Sequence, residues 1–215
     1  MTNNNDISKI RRSYSLKELS ENLVSPDPFV QFSTWMDEAI LSNLLEPNAM
    51  ILATANKNGI PSARTVLLKG FDEKGFVFFT NYESTKAKEL EENSFASLLF
   101  LWLELERQVR ITGKAERVSR EESEKYFISR PRESQLGAWA SKQSSVISNR
   151  KILENQFEEM KKRFENQEID LPPFWGGYKV IPQKIEFWQG RENRLHDRIS
   201  YLLDKGTWKI ERLSP

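Results

Sequence analysis

The 215-residue sequence contains no cysteine and a single histidine, His196. Without thiols, disulfides and thiolate chemistry are excluded, and one imidazole cannot build a typical zinc site without several carboxylates. Net charge is nearly absent as well. The 32 basic and 31 acidic residues leave +1, which argues against a general polyanion binder and against a nucleic-acid partner. Any cationic site must therefore be local. No run approaches the roughly 20 apolar residues of a membrane-spanning helix, and MTNNNDISKIRRSY at the N-terminus has no apolar core for a signal peptide. A soluble, cytoplasmic protein with no membrane partner is the expectation. Glycine-rich phosphate loops are missing too: neither the dinucleotide fingerprint nor the Walker pattern occurs, and no serine sits in an elbow motif.

What is present suffices for one domain with a real core. Residues 1–26 are polar with scattered apolar positions and read as a mobile arm, with a short helix in the LKELSENL region and Arg11, Arg12 and Tyr14 as its marked residues. Residues 27–215 read as a single domain. Asp27 and Pro28 open an amphipathic helix to about Leu45, with Phe29, Phe32, Met36, Ala39, Ile40 and Leu44 as its core stripe. Strand patterns follow at 49–55, 62–68 and 76–80, then a short helix capped by Ser84, strands at 95–102 and 108–117, and a helix from Ser119 that Pro131 ends. Residues 132–150 read as a short helix and a polar loop. Leu153, Phe157, Met160 and Phe164 mark a charged surface helix, and strands at 178–181, 184–188, 194–202 and 208–213 complete the chain. Many short strands with intervening helices, and no βαβ alternation, give an α+β domain built on an antiparallel barrel.

The lone histidine lies in IEFWQGRENRLHDR, residues 185–198. If the segment after Asn193 is extended, Arg194, His196 and Arg198 form one cationic row, with Leu195 and Asp197 on the opposite face. That parity leaves no Ser-His-Asp arrangement. Two further groups suit phosphate monoesters. One comprises Arg64, Lys69, Thr80, Ser84 and Lys86, near a helix start whose N–H groups favour an anion. The other is Tyr126, Arg130 and Ser134, a phenol, a fork-shaped cation and a hydroxyl. Each group taken alone also fits a solvated face; together they suggest two phosphorylated ligands. Arg64 and Lys69 are five positions apart, so a regular strand puts them on opposite faces. Either a bulge intervenes or they serve different ligands. With no metal cluster and no activated nucleophile, a bound organic cofactor is the natural carrier of the chemistry.

Six strings carry a resemblance to a known family: ARTVLLK at 63–69, FFTN at 78–81, LERQVRITGKAER at 105–117, SRPRESQLGAWASKQSS at 129–145, FWGGY at 174–178 and IEFWQGRENRLHDR at 185–198. From Asp27 to the C-terminal ERLSP the chain resembles the pyridoxine (pyridoxamine) 5'-phosphate oxidases. The resemblance implies an antiparallel FMN-binding split β-barrel with surrounding helices, working as a homodimer with active sites at the subunit interface. It further implies that Arg64, Thr65, Leu68, Lys69, Phe79, Thr80, Lys86, Gln108, Gln143, Ser144, Trp188 and Arg198 hold FMN. The substrate phosphate would sit on Lys69, Tyr126, Arg130 and Ser134, and the pyridine ring against Arg194, Leu195 and His196, with Arg194 and His196 catalytic. Arg11, Arg12 and Tyr14 match a family arm that covers the site. The implied reaction oxidises pyridoxine 5'-phosphate or pyridoxamine 5'-phosphate to pyridoxal 5'-phosphate, with O2 as acceptor. One departure from the resemblance stands out: members of that family usually carry a basic pair where this chain has Thr85-Lys86. A split-barrel flavin reductase and a non-catalytic pyridoxal phosphate carrier are the rival readings.

Overall fold

A computed structural model describes residues 7–9 and 12–215. Arg11 lies outside the described residues. In chain order the elements are α1 (Pro28–Leu41), β1 (Ala49–Ala55), β2 (Pro61–Leu67), β3 (Gly70–Asp72), β4 (Gly75–Asn81), α2 (Thr85–Glu92), β5 (Phe95–Trp102), β6 (Arg107–Arg117), α3 (Arg120–Ser129), α4 (Arg132–Ala140), α5 (Arg150–Arg163), β7 (Trp175–Gln189), β8 (Asp197–Asp204) and β9 (Thr207–Arg212). The pairings described are antiparallel and belong to an α+β split-barrel fold, with five α-helices among the described residues. No described helix is long and apolar enough to cross a membrane. The chain divides into two compact units.

The first unit joins the described part of Met1–Pro47 to Phe100–Arg110 and Lys184–Pro215. Asp27 accepts a hydrogen bond from the Phe29 N–H at 2.7 Å and Pro28 occupies the first turn, which fixes the start of α1. The helix stops at Leu41 rather than Leu45, because Asn43 adopts a left-handed conformation with φ 54°. Its buried stripe is Phe32, Trp35, Met36 and Ala39, while Ile40, expected in the core, is 55% exposed. Trp35 packs edge-on against Phe187 at 5.2 Å, and Phe187 against Tyr201 at 5.5 Å. Each such buried aromatic is worth about 1.5–3 kcal/mol. β8 pairs with the end of β7 and with β9. No helix forms in LKELSENL, because its backbone is bonded elsewhere: the Ser15 and Leu16 N–H groups donate to Glu106, and that of Leu19 to Asp197.

The second unit comprises Asn48–Leu99 and Ile111–Gln183. β1 pairs with β2 and β5, and β4 pairs with β3 and with the start of β7. β7 is one strand of 15 residues where two were expected. Its Trp175–Asn81 to Val180–Phe76 ladder ends before Pro182, and the ladder with β8 begins at Lys184, so the missing proline N–H falls between registers. Ser119 caps α3 by accepting the Glu122 N–H at 3.0 Å. Phe127, Leu136, Phe164, Ile169, Leu171 and Trp175 form a buried cluster, which sets the ends of α3 and α4 on a rigid base.

Candidate functional site

A cleft of about 790 Å³ opens in the second unit. Both phosphate-suited groups line it: Arg64, Lys69, Thr80 and Lys86 together with Tyr126, Arg130 and Ser134. The expected pair of anion pockets is thus a single space. The strand-parity conflict is resolved by the backbone. β2 ends at Leu67; Leu68 and Lys69 lie between strands, with the Leu68 N–H donating to Asn48 at 2.9 Å and that of Lys69 to Val77 at 2.8 Å. Two residues outside the pleat free Lys69 to turn to the same cleft as Arg64.

The cations differ in how they are held. Arg64 is paired with Glu89 at 3.2 Å, donates to the Leu52 carbonyl at 3.2 Å, and also bonds Thr54 and Ser62. Burial raises the Glu89 pKa, but hydrogen bonds from Ser62 and Thr54 and the Arg64 charge outweigh it and hold this carboxyl below its ordinary value. Lys86 is buried and has only neutral acceptors: Gln143 Oε1 at 3.0 Å, Thr80 Oγ1 at 3.2 Å and Ser84 Oγ at 3.3 Å. Among the described residues it has no ion pair. Burial, followed by the Arg64 charge, pushes its pKa down against the opposing pull of Glu89. Ser84 stands at the N-cap of α2 without the expected side-chain cap bond.

Arg130 is expected to share a helix face with Tyr126, yet α3 ends at Ser129 and Arg130 is extended, as the residue before Pro131 must be. Its guanidinium lies over Trp175 at 4.6 Å and Phe127 at 5.6 Å. Nη1 is buried without a hydrogen-bond partner. Burial lowers its pKa, with Tyr126 opposing. Tyr126 stacks on Phe79 at 4.0 Å and Phe79 on Trp175 at 5.5 Å, which makes an aromatic wall. The Lys69 ammonium stands 6.0 Å from the Tyr126 ring centre. The cleft lining contains cations, hydroxyls and rings but no carboxylate. Such a lining can pair with anionic groups and stack against flat rings.

In the first unit, the extended row expected after Asn193 does not form. Glu192–Arg194 is a 3-10 turn, Asn193 and Arg194 have φ of 56° and 62°, and β8 starts only at Asp197. Alternation therefore does not govern Arg194, which is exposed, as is Leu195. His196 instead joins an aromatic group, 4.6 Å from Trp188 and 5.8 Å from Tyr14. Its Nδ1 accepts the Arg191 N–H at 3.1 Å. Burial, then the Arg194 charge, lowers its pKa, so it is neutral at neutral pH with its proton on Nε2. Arg198 pairs with Glu186 at 2.8 Å and donates to the Ser214 carbonyl at 2.7 Å. Asp197 accepts from the Leu19 N–H at 3.0 Å and from Arg212 at 2.9 Å. Gln108 lies on β6 and is half-buried.

Comparison with known proteins decides the family. Residues 36–164 match the model described as pyridoxamine 5'-phosphate oxidase, and residues 175–215 match the pyridoxine 5'-phosphate oxidase C-terminal dimerisation region. The chain belongs to the pyridoxamine 5'-phosphate oxidase family. It is 61% identical to the pyridoxine/pyridoxamine 5'-phosphate oxidase of Rippkaea orientalis, over 98% of this chain and 100% of that protein. The corresponding oxidase of Crocosphaera subtropica is 60% identical over the same shares. Among solved structures, PhzG from Burkholderia lata, in complex with tetrahydrophenazine-1-carboxylic acid, superposes with a TM-score of 0.88 at 29% identity, covering 95% of this chain and 100% of PhzG.

For this oxidase-family chain, the residues expected from the sequence fall into two sets. Arg64, Thr65, Lys69, Phe79, Thr80, Lys86, Tyr126, Arg130, Ser134 and Gln143 line one cleft. Ser144 stands beside it, with φ 69° and its Oγ accepting the Thr85 N–H at 3.3 Å. Leu68 is buried and does not line the cleft. Gln108, Trp188, Arg194, Leu195, His196, Arg198, Arg12 and Tyr14 belong to the first unit. The sequence reading missed Trp175, although FWGGY was singled out, and it missed Glu89, the partner of Arg64. Glu89 sits four positions after Thr85 on a charged helix, where nothing local separates a buried acid from a solvated one.

Proposed function

We propose that this chain is an FMN-dependent oxidase that converts pyridoxine 5'-phosphate and pyridoxamine 5'-phosphate to pyridoxal 5'-phosphate, with O2 as the electron acceptor. The observation that carries the reading is the acid-free cleft in which Lys69, Lys86 and Arg130 have no ion pair among the described residues while aromatic rings form the wall. Those residues fit FMN and a phosphorylated pyridine: the unpartnered Arg130 Nη1 and the buried Lys86 ammonium each demand an anion. Arg64, Lys86, Thr65, Thr80, Gln143 and Ser144 would hold the flavin phosphate, and Lys69, Tyr126, Arg130 and Ser134 the substrate phosphate. Leu68, Lys69, Phe79, Gln108, Trp188 and Arg198 complete the flavin set. Arg194, Leu195 and His196 would hold the pyridine ring, with Arg12, Tyr14 and Arg11 in the arm.

Bound FMN supplies the two-electron acceptor that these side chains lack, and O2 regenerates it with release of hydrogen peroxide. The protein's part is positioning. His196, neutral and with Nδ1 already engaged by the Arg191 N–H, acts through Nε2 as a hydrogen-bond donor to the substrate rather than as a base. Arg194 would help to hold the pyridine ring in place, so that C4′ is correctly oriented for oxidation. From pyridoxamine 5'-phosphate the oxidised carbon is an imine, and water releases ammonia from it. The enzyme works as a homodimer with its active sites at the subunit interface, in the cytoplasm.

Anaerobic addition of pyridoxine 5'-phosphate to the yellow holoprotein tests this directly. Bleaching of the flavin absorption is expected. A flavin that bleaches with a nicotinamide donor but not with pyridoxine 5'-phosphate would favour the reductase, and a colourless protein that binds pyridoxal 5'-phosphate would favour the carrier.

A further inference from the structure

Glu106 has no place among the residues assigned above. Its side chain is 3% exposed, at a left-handed backbone position with φ 55° that ends a 3-10 turn. One carboxylate oxygen accepts the Ser15 N–H at 2.9 Å and the Leu16 N–H at 3.1 Å, and the other faces the Arg12 guanidinium at 3.6 Å. A residue some ninety positions along the chain thus supplies the acceptor for the arm backbone just after Tyr14 and an ion-pair partner for Arg12 just before it. Its own carbonyl accepts the Gly190 N–H at 2.7 Å and the Gln189 side-chain amide at 3.2 Å. At Gly190 a Cβ would come within 2.7 Å of Tyr14 Cγ and 3.1 Å of Glu106 Cβ, so only glycine lets the arm lie this close. The next residue, Arg191, gives the N–H that orients His196. Tyr14 stands edge-on to Trp188 at 5.9 Å and to His196 at 5.8 Å.

We propose that Glu106 is a positioning residue that clamps residues 12–16 onto the Gly190–Arg191 loop and thereby holds Tyr14 and His196 in register for the substrate ring. A carboxylate accepting two backbone N–H bonds fixes a segment that has no regular secondary structure of its own. Because the same residue holds the loop through its carbonyl, arm and histidine are set by one anchor. The inference rests on the proposed oxidase reading for its effect on turnover, and on geometry alone for the clamp.

The test uses the full-length holoenzyme with Glu106→Met, which keeps the length of the side chain but removes both acceptor oxygens, and with Tyr14→Ala alone and in combination. Limited trypsin cleavage after Arg12 or Lys17 should speed up about tenfold in Glu106→Met, a readout independent of activity. The KM for pyridoxine 5'-phosphate should rise severalfold in each single variant, and the double variant should resemble Tyr14→Ala, since an anchor acting through Tyr14 has nothing left to position. Unchanged trypsin sensitivity would overturn the clamp. Faster cleavage with an unchanged KM, or fully additive KM effects, would overturn the positioning role. If the protein does not oxidise the substrate at all, the oxidase reading fails while the cleavage result still decides the clamp.

Discussion

Replacing Arg130 by alanine separates binding from stability in a way the geometry makes quantitative. In a ligand complex the guanidinium would make charge-assisted hydrogen bonds to a phosphate, worth about 1.5–3 kcal/mol. Because that phosphate does not react, the loss falls on binding, and KM should rise roughly ten- to a hundred-and-fifty-fold with kcat little changed. In the free protein the same group carries a buried, unpartnered Nη1, a cost of about 1–3 kcal/mol, set against a contact with Trp175 at 4.6 Å worth about 0.5–2 kcal/mol. The two nearly cancel. The ligand-free variant should therefore melt within a few degrees of wild type while its KM rises, as thermal melts and steady-state kinetics would show. Retained FMN is part of the expectation. Loss of FMN with normal KM would mean that the two phosphate groups are assigned to the wrong ligands, and a large drop in Tm would mean that Arg130 is a packing residue.

The other expected outcomes concern the flavin contacts and the ring. Thr85 is exposed at the first residue of α2, so Thr85→Arg adds a cation beside a phosphate site and should tighten FMN binding by up to about 1 kcal/mol; an unchanged Kd would place the new side chain in solvent. Burial depresses the Lys86 pKa, so the free protein loses this charge at a lower pH than an ordinary lysine would, and a bound phosphate favours the charged form. FMN affinity should accordingly be flat below the depressed pKa and fall as pH rises through it, a slope that Lys86→Met removes; equal slopes in both proteins would exclude Lys86 from the phosphate site. By the same sign, the ligand-free protein gains stability as pH rises from the depressed value to the ordinary one. Arg194→Ala and His196→Ala should stay yellow and dimeric while flavin reduction at saturating substrate slows at least about tenfold in one of them, roughly 1.4 kcal/mol of barrier. Arg198→Ala should instead weaken FMN retention, and near wild-type reduction in both ring variants would return Arg194 and His196 to a solvated loop.

Periodicity made the helices and most strands legible, because burial repeats along them: Phe32, Met36 and Ala39 on α1, and the alternation of β6. It failed where backbone chemistry overrode alternation. Arg194 could not be placed by counting, since two consecutive left-handed residues precede β8. Lys69 escapes the parity for a related reason, since β2 ends at Leu67, one residue short of the expected Leu68, and leaves Lys69 outside the pleat. The strands expected at 178–181 and 184–188 are one strand, and Pro182 between them is the point where β7 changes partner. The site itself was legible as residue types but not as pairing. That Glu89 neutralises Arg64, and that Glu186 neutralises Arg198, follows from long-range placement that no local spacing encodes.

Pairing is also what distinguishes the cations of the cleft from one another. Arg64 is fixed by Glu89, Thr54, Ser62 and the Leu52 carbonyl, so its fork is preorganised and its charge largely matched before any ligand arrives. Lys86 and Arg130 are held by neutral acceptors and aromatic faces, and both pKa values are pushed down by burial. A paired cation lends geometry to an incoming phosphate but little new attraction, whereas an unpaired buried one is relieved by it. The acids that balance the chain at +1 are engaged elsewhere, as Glu38 is with Arg107 and Lys17, and Glu21 and Asp197 are with Arg212. Apart from Glu89, which holds Arg64, these carboxylates are paired away from the cleft, and Lys69, Lys86 and Arg130 have no ion pair among the described residues. Affinity for phosphate should accordingly reside in Lys86 and Arg130, and orientation in Arg64.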